Sequence, residues 1–326
     1  MVGAAVACHT CRSAPHDQGA GLLAVHQGPD EDAGMTQPRA GHLAMLLFST
    51  LVAGSFALGA LAANDIAPIA LNAVRFWIAV FILGAAVVAT GGMTRGAVTA
   101  LWRYPLLAGF LTTYFVAMFE GLKTAPPVSA AAVFTLTPLM AGVFGWLLLG
   151  QRFTPRILLA LAIGGVGALW VIFRADVAAV LRFEIGRGEL IYLGGCLAHA
   201  VYTPLVRRLN RGEPALVFSF GVLLAGAMLL TVFGWGDLRA TDWTALPAIV
   251  WITILYTALF ASAATFTLLQ FATMRLPSSK VMAYTYLVPS WVIVWGVALG
   301  GEMPPAIVMA GLGITIAALV LLLRQD

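Results

Sequence analysis

The chain has 326 residues, of which 61% are hydrophobic and only 10% are charged, and its mean hydropathy is +0.94. Soluble domains carry about a quarter charged residues, so this composition excludes an ordinary soluble protein and indicates a membrane protein. The formal net charge of +4 is better explained by basic cytoplasmic loops than by a nucleic-acid partner.

The N-terminal segment differs from the rest of the chain, because it mixes histidine, proline and acidic residues. It contains no apolar core long enough for a signal peptide, so we expect residues 1–42 to form a disordered leader. Met35 is a candidate for the true start of translation. Cys8 and Cys11 have the spacing of half a zinc site, but no second Cys/His pair follows, so chance is favoured and no metal is expected.

Ten apolar stretches follow, and each has or approaches the roughly 20 residues that a membrane-spanning helix needs. In chain order they cover residues 43–63, 66–90, 104–124, 125–149, 157–173, 190–206, 214–236, 246–274, 279–301 and 303–323. We therefore predict an all-α membrane protein with ten transmembrane helices. Residues 43–173 form its first half, residues 174–189 a connecting loop, and residues 190–323 its second half.

The basic residues predict that both termini face the cytoplasm. In that orientation eleven Lys and Arg residues fall inside and five outside, which is the asymmetry that the positive-inside rule requires. The outer residues are Lys123, Arg174, Arg182, Arg187 and Arg239.

A proline-centred segment occurs twice. Residues 125–151 and 276–302 share eight of 27 aligned positions, including Pro138 with Pro289. Five spans separate the two copies, and an odd number inverts the second copy across the membrane. Inverted halves are a recurring transporter plan, in which rocking exposes a midplane site to each side in turn, although duplication can also simply enlarge a bundle. Each proline lacks an amide hydrogen and is expected to break its helix.

Three segments carry a family resemblance: "IAPIALNAVRFWIA" at 66–79, "AAVFTLTPLMAGVFGWLLLGQRFTP" at 131–155 and "AYTYLVPSWVIVWGVALGGE" at 283–302. They resemble the EamA-type drug/metabolite transporter superfamily over roughly residues 43–323. The resemblance implies ten helices in two inverted five-helix EamA repeats. It also implies secondary transport, most often export, of small metabolites such as amino acids. One departure is Gln151, where the family often has Glu, whereas the second copy keeps Glu302.

Three charged residues are candidates for structural or coupling roles. Arg75 lies midway along the second span, where an unpaired charge costs at least about 2.5–3.5 kcal/mol. Tying helices together is its favoured role, and direct substrate contact is the alternative. Glu120 has the spacing of an ion pair with Lys123, with a proton-coupling acid as the alternative. Lys280 shares a predicted face of the ninth span with aromatic residues.

Polar and aromatic residues share helix faces on the sixth, eighth and ninth spans, which favours a central cavity between the halves. His199 lies near the centre of the sixth span, where it is either a cavity residue or a packing histidine. The predicted cavity residues are Tyr114, Tyr192, His199, Tyr202, Tyr256, Gln270, Tyr284 and Trp291.

Enzyme signatures such as HExxH, the Walker loop and GxSxG are missing from the sequence. The sequence therefore predicts a multi-pass membrane transporter that is not an enzyme, has no cofactor and is a monomer or homodimer. The family resemblance implies that it lies in the bacterial inner membrane. Its partners are a small-molecule substrate and membrane lipid. An exporter is favoured; the alternatives are an importer or exchanger on the same fold, and a membrane-embedded enzyme.

Overall fold

The structure is a computed structural model that describes residues 31–93, 95–150, 154–173, 185–273, 275–276, 281 and 283–323. Across these ranges the regular secondary structure is helical, and no strand occurs. The predicted all-α architecture is confirmed for this part of the chain. Residues 1–30, the start of the predicted leader, and most of the predicted connecting loop lie outside it.

The α-helices follow the predicted apolar stretches. In the described ranges they are α1 (Glu31–Ala62), α2 (Pro68–Ala89), α3 (Arg103–Leu122), α4 (Pro127–Phe134), α5 (Thr137–Leu149), α6 (Pro155–Ile172), α7 (Arg187–Leu209), α8 (Ala215–Phe233), α9 (Trp235–Ala240), α10 (Ala248–Ala258), α11 (Thr265–Thr273), α12 (Val288–Ala298) and α13 (Ala306–Leu323). A π-helical turn, Leu259–Ala264, joins α10 to α11, and 3₁₀ turns cover Arg95–Val98 and Tyr284–Leu287.

Seven helices of the described chain are long and apolar enough to cross a membrane. Two of the seven are composite, because α4 continues into α5 and α10 continues into α11 through the π-helical turn. Three shorter apolar segments occupy the positions of the predicted fifth, ninth and tenth spans. They are Leu158–Ile172 within α6, Tyr284–Ala298 across the second 3₁₀ turn and α12, and Val308–Leu321 within α13. The chain is therefore a multi-pass membrane protein, while the count of ten spans and their inversion stay predictions.

The two halves of the chain pack reciprocally. In the first half, α1 packs against α10, α11 and α12 of the second half. In the second half, α7 packs against α3, α4 and α5 of the first. Further contacts between the halves join α2 to α8, α9 and α10, α3 to α8, α4 to α12, and α6 to α13. The first helix of each half thus lies against the third and fourth predicted spans of the other.

Small residues allow α3 and α7 to approach closely. A Cβ atom added at Gly195 of α7 would lie 2.7 Å from Cβ of Ala117 and 3.2 Å from the carbonyl oxygen of Tyr114 on α3. A Cβ added at the neighbouring Gly194 would meet nothing within 4 Å. Small residues at helix contacts are the usual way in which membrane helices pack tightly.

Gly195→Ala is therefore expected to destabilise the protein by about 1–3 kcal/mol, because α3 and α7 must move apart to admit the methyl group. Gly194→Ala is the matched control, and its higher helix propensity should leave stability unchanged or slightly raised. Unfolding temperatures of the two purified variants in detergent compare them directly. Equal unfolding temperatures would contradict the close α3–α7 contact.

A buried ion pair fastens the segment after α7 to the start of α3. Nη2 of Arg103 lies 2.7 Å from Oε1 of Glu213, and the two side chains are 0% and 1% exposed. Arg103 also donates to the carbonyl oxygen of Leu209, the last residue of α7. Burial favours a raised pKa for Glu213, but hydrogen bonds from Arg103 and from the backbone amide of Arg211 hold that pKa below its ordinary value.

Glu213→Ala is expected to cost about 3–5 kcal/mol, because it leaves the buried Arg103 charge unpaired. The control is Glu120→Ala, which removes a partly exposed ion pair with Lys123 and should cost about 0–1 kcal/mol. The pKa of Glu213 is lowered on folding, so its contribution is present above the ordinary value of 4.5 and is lost as pH falls through the folded value. As the pH is lowered, the unfolding temperature of the wild type should therefore fall towards that of Glu213→Ala. A difference between the two unfolding temperatures that does not change with pH would contradict the ion pair.

Candidate functional site

Four of the predicted cavity residues meet where α3 crosses α7. The hydroxyl of Tyr192 donates to that of Tyr114 at 3.1 Å. The ring centroids of Tyr114 and His199 are 4.5 Å apart, and those of His199 and Tyr202 are 5.7 Å apart. Tyr192, His199 and Tyr202 come from α7, on which spacings of seven and three residues keep them near one another. We call these four residues the His199 cluster.

The interruption between α4 and α5 adjoins the His199 cluster. Phe134, the last residue of α4, has its ring centroid 6.2 Å from that of Tyr114 and 6.5 Å from that of His199. A turn at 135–136 separates the two helices, and Pro138 is the second residue of α5. Pro289 occupies the same position in α12, after the 3₁₀ turn. Each of the two prolines therefore stands at the start of a half-helix.

Two buried nitrogen atoms, one in the His199 cluster and one on α12, have no hydrogen-bond partner among the described residues. They are Nδ1 of His199 and Nε1 of Trp291. Trp291 belongs to α12 and packs against the same core as Tyr114 and Tyr192. Most buried polar atoms in proteins are hydrogen-bonded. The two atoms could therefore bind a polar group of a solute that lies against the rings.

The remaining predicted cavity residues are placed elsewhere or are not described. Tyr256 donates to the carbonyl oxygen of Leu51 on α1 at 3.0 Å. The hydroxyl of Tyr284 is 2.8 Å from Nδ1 of His42, also on α1. Both tyrosines thus hold α1, and neither has a ring contact with the His199 cluster. The side chain of Gln270, like Lys280 as a whole, lies outside what the structure describes.

The charged candidates differ in their surroundings. Glu120 pairs with Lys123 at 2.7 Å in a partly exposed position. Arg75 is fully buried on α2, where Nε and Nη2 donate to Oγ of Ser262 at 3.3 and 3.1 Å. Its Nη1 donates to Oδ1 of Asn72 at 3.4 Å. Ser262 lies in the π-helical turn, so Arg75 joins α2 to the α10–α11 span.

An aromatic ring links Arg75 to the His199 cluster. The guanidinium carbon of Arg75 lies 4.0 Å from the ring centroid of Phe115, and that centroid is 4.8 Å from that of Tyr114. Phe115, Asn72 and Ser262 are not among the site residues predicted from the sequence. Asn72 could have been found, because it lies three residues before Arg75 on the same helix face. No sequence signal pairs Ser262 with Arg75.

Comparison with known proteins gives both a family and relatives. The profile described as "EamA-like transporter family" matches residues 39–173 and 186–324. "Uncharacterized transporter YyaM" of Bacillus subtilis is 23% identical over 79% of this chain and 86% of that protein. "Aromatic amino acid exporter YddG" of Ancylobacter novellus is 28% identical over 58% of this chain and 64% of that protein. One solved crystal structure superposes on this chain with a TM-score of 0.65 and a sequence identity of 22%. The superposition covers 88% of this chain and 96% of that chain, and it supports the fold alone.

Proposed function

Since the chain belongs to the EamA-like transporter family, we propose that it exports small amphipathic metabolites, amino acids among them, across the bacterial inner membrane by alternating access. The observation that carries the proposal is that two buried nitrogens lack a hydrogen-bond partner among the described residues: Nδ1 of His199, within the His199 cluster, and Nε1 of Trp291, which packs against the same core. A flat apolar group would lie against the rings. A polar group would accept a hydrogen bond from Nε1 of Trp291, and would accept from or donate to Nδ1 of His199.

The distant relative named as an aromatic amino acid exporter favours solutes with a ring. The four rings of the His199 cluster supply offset contacts for such a solute, and stacking of this kind is worth about 0.5–1.5 kcal/mol beyond buried area. We therefore take an aromatic amino acid as the first solute to test.

Reciprocal packing of the halves suits alternating access. The His199 cluster lies between α3 and α7, which belong to different halves, and Trp291 comes from α12. Rocking of one half against the other would change the distances between these side chains and open the site to one side at a time. The half-helix starts at Pro138 and Pro289 provide places at which the fourth and ninth spans can bend.

The orientation is expected to place both termini in the cytoplasm. Reporter fusions after Gly92 and after Arg324 should both give a cytoplasmic signal, because eleven basic residues then lie inside and five outside. A fusion after Lys123 serves as the opposite control and should report the periplasm. A periplasmic signal at Gly92 or Arg324 would contradict the inverted arrangement of the halves.

A growth screen tests the proposed function. Cells that overproduce the protein should tolerate a toxic aromatic amino acid analogue better than cells that produce the His199→Ala variant at equal abundance. Greater sensitivity of the overproducing cells would instead indicate an importer. Equal growth of both strains on every analogue and amino acid tested would contradict export of this class of solute.

A further inference from the structure

We propose that Arg75 binds the carboxylate of the transported solute, while the aromatic part of the solute lies against the His199 cluster. The proposal rests on the proposed function and specifies its substrate class: solutes with a carboxylate and an aromatic group. It assigns the buried guanidinium, which the sequence favours as a structural tie, a direct part in binding.

The charge of Arg75 has no acidic partner in the described part of the chain. Its side chain is 0% exposed, and the ion pairs found there are Arg103 with Glu213 and Lys123 with Glu120. Its hydrogen-bond acceptors are the neutral oxygens of Ser262 and Asn72. A buried, uncompensated charge is costly, so an anion that reached this position would be strongly favoured.

The hydrogen bonds of Arg75 leave donors available. A guanidinium has five N–H groups. Two of them point to Ser262 and one to Asn72, which leaves one N–H on Nη1 and one on Nη2 without a partner among the described residues. Two N–H groups on the two terminal nitrogens are the arrangement that binds a carboxylate through both of its oxygens.

Phe115 connects this anion site to the aromatic rings. Its ring centroid lies 4.0 Å from the Arg75 guanidinium carbon and 4.8 Å from the ring centroid of Tyr114, which in turn contacts His199. A chain of ring contacts thus runs from the cation of Arg75 through Phe115 to the His199 cluster. A solute with a carboxylate close to a ring matches both ends.

The π-helical turn carries one hydrogen-bond acceptor of Arg75. Ser262 lies in this turn, and π-helical turns inside α-helices are frequently found at functional sites. Arg75 is fully buried in the present conformation, so the carboxylate must enter when the halves have moved apart. The bonds to Ser262 and Asn72 then hold the guanidinium in place for the incoming oxygens.

Binding of matched solute pairs to the purified full-length protein in detergent tests the proposal. The pairs are L-phenylalanine with L-phenylalaninamide and indole-3-acetate with indole-3-acetamide. Isothermal titration calorimetry measures the affinity of the protein for each of the four compounds. In the wild type the carboxylate should bind at least roughly tenfold more tightly than its amide, as expected for a charge-assisted bidentate contact. Arg75→Gln should lose this preference, and Arg75→Lys should retain part of it. Arg207→Gln, which removes an exposed positive charge, should retain all of it.

The wild-type comparison decides the proposal even where Arg75→Gln fails to fold. Equal affinity for carboxylate and amide would overturn the role of Arg75 and leave export of amphipathic solutes standing. An undiminished carboxylate preference in folded Arg75→Gln would also overturn it. Failure of every member of the pairs to bind would overturn the proposed function itself, and the role of Arg75 with it.

Discussion

His199→Ala and Trp291→Ala are each expected to reduce transport by about 5- to 140-fold while membrane abundance stays near that of the wild type. Each substitution removes a buried nitrogen that has no protein partner in the described structure. Losing one hydrogen bond to a desolvated polar solute costs about 1–3 kcal/mol, and 1.4 kcal/mol is a factor of ten. Both side chains are only partly buried, unlike the fully buried Arg75, and the protein does not use these nitrogens for its own hydrogen bonds. Folding should therefore suffer less than transport.

Trp146→Ala is the matched control for Trp291→Ala. Trp146 lies on α5 and is 58% exposed, so its removal should change neither abundance nor transport appreciably. Uptake of a radiolabelled aromatic amino acid into inside-out membrane vesicles, divided by abundance, measures the effect. Normal transport by both cavity variants would place the solute elsewhere and leave the His199 cluster a packing feature.

Arg75→Ala should have a large effect of a different kind, because it is expected to lower membrane abundance several-fold. The substitution removes the bonds that join α2 to the π-helical turn and leaves a void against Phe115. Truncating a large buried side chain costs about 2–5 kcal/mol, and losses of this size change steady-state abundance.

Quantitative immunoblotting of isolated membranes measures this change. Arg207→Ala is the control, because Arg207 is exposed at the end of α7 and should leave abundance unchanged. Ser262→Ala should show an intermediate loss, because Arg75 keeps its bond to Asn72 and its contact with Phe115. Wild-type abundance of Arg75→Ala would contradict a structural role for the guanidinium.

Local sequence predicted the helices well, because hydrophobic length largely decides where a membrane helix can form. The stretches predicted at 66–90 and 214–236 correspond to α2 and α8, for example. The predicted stretch at 157–173 corresponds to α6, Pro155–Ile172. The resemblance of residues 66–79, 131–155 and 283–302 predicted the family, and the profile match confirms it.

Contacts between distant segments could not be predicted in the same way. A helical face can be identified from spacing, but the helix that it meets depends on tertiary packing. Tyr256 and Tyr284 share faces with other polar or aromatic residues, yet each is engaged with α1 and not with the His199 cluster. Ser262 reaches Arg75 from a π-helical turn, and the α-helical periodicity used to assign faces does not anticipate such a turn.

Net flux in vesicles of opposite orientation is the most direct measurement of export by alternating access. Inside-out vesicles containing the wild-type protein should accumulate radiolabelled L-phenylalanine faster than right-side-out vesicles under the same imposed gradients. Inside-out vesicles containing His199→Ala at equal abundance should match vesicles without the protein. Equal fluxes in wild-type vesicles of both orientations, in His199→Ala vesicles and in vesicles without the protein would contradict the proposed transport. Faster uptake by right-side-out than by inside-out wild-type vesicles would contradict its direction.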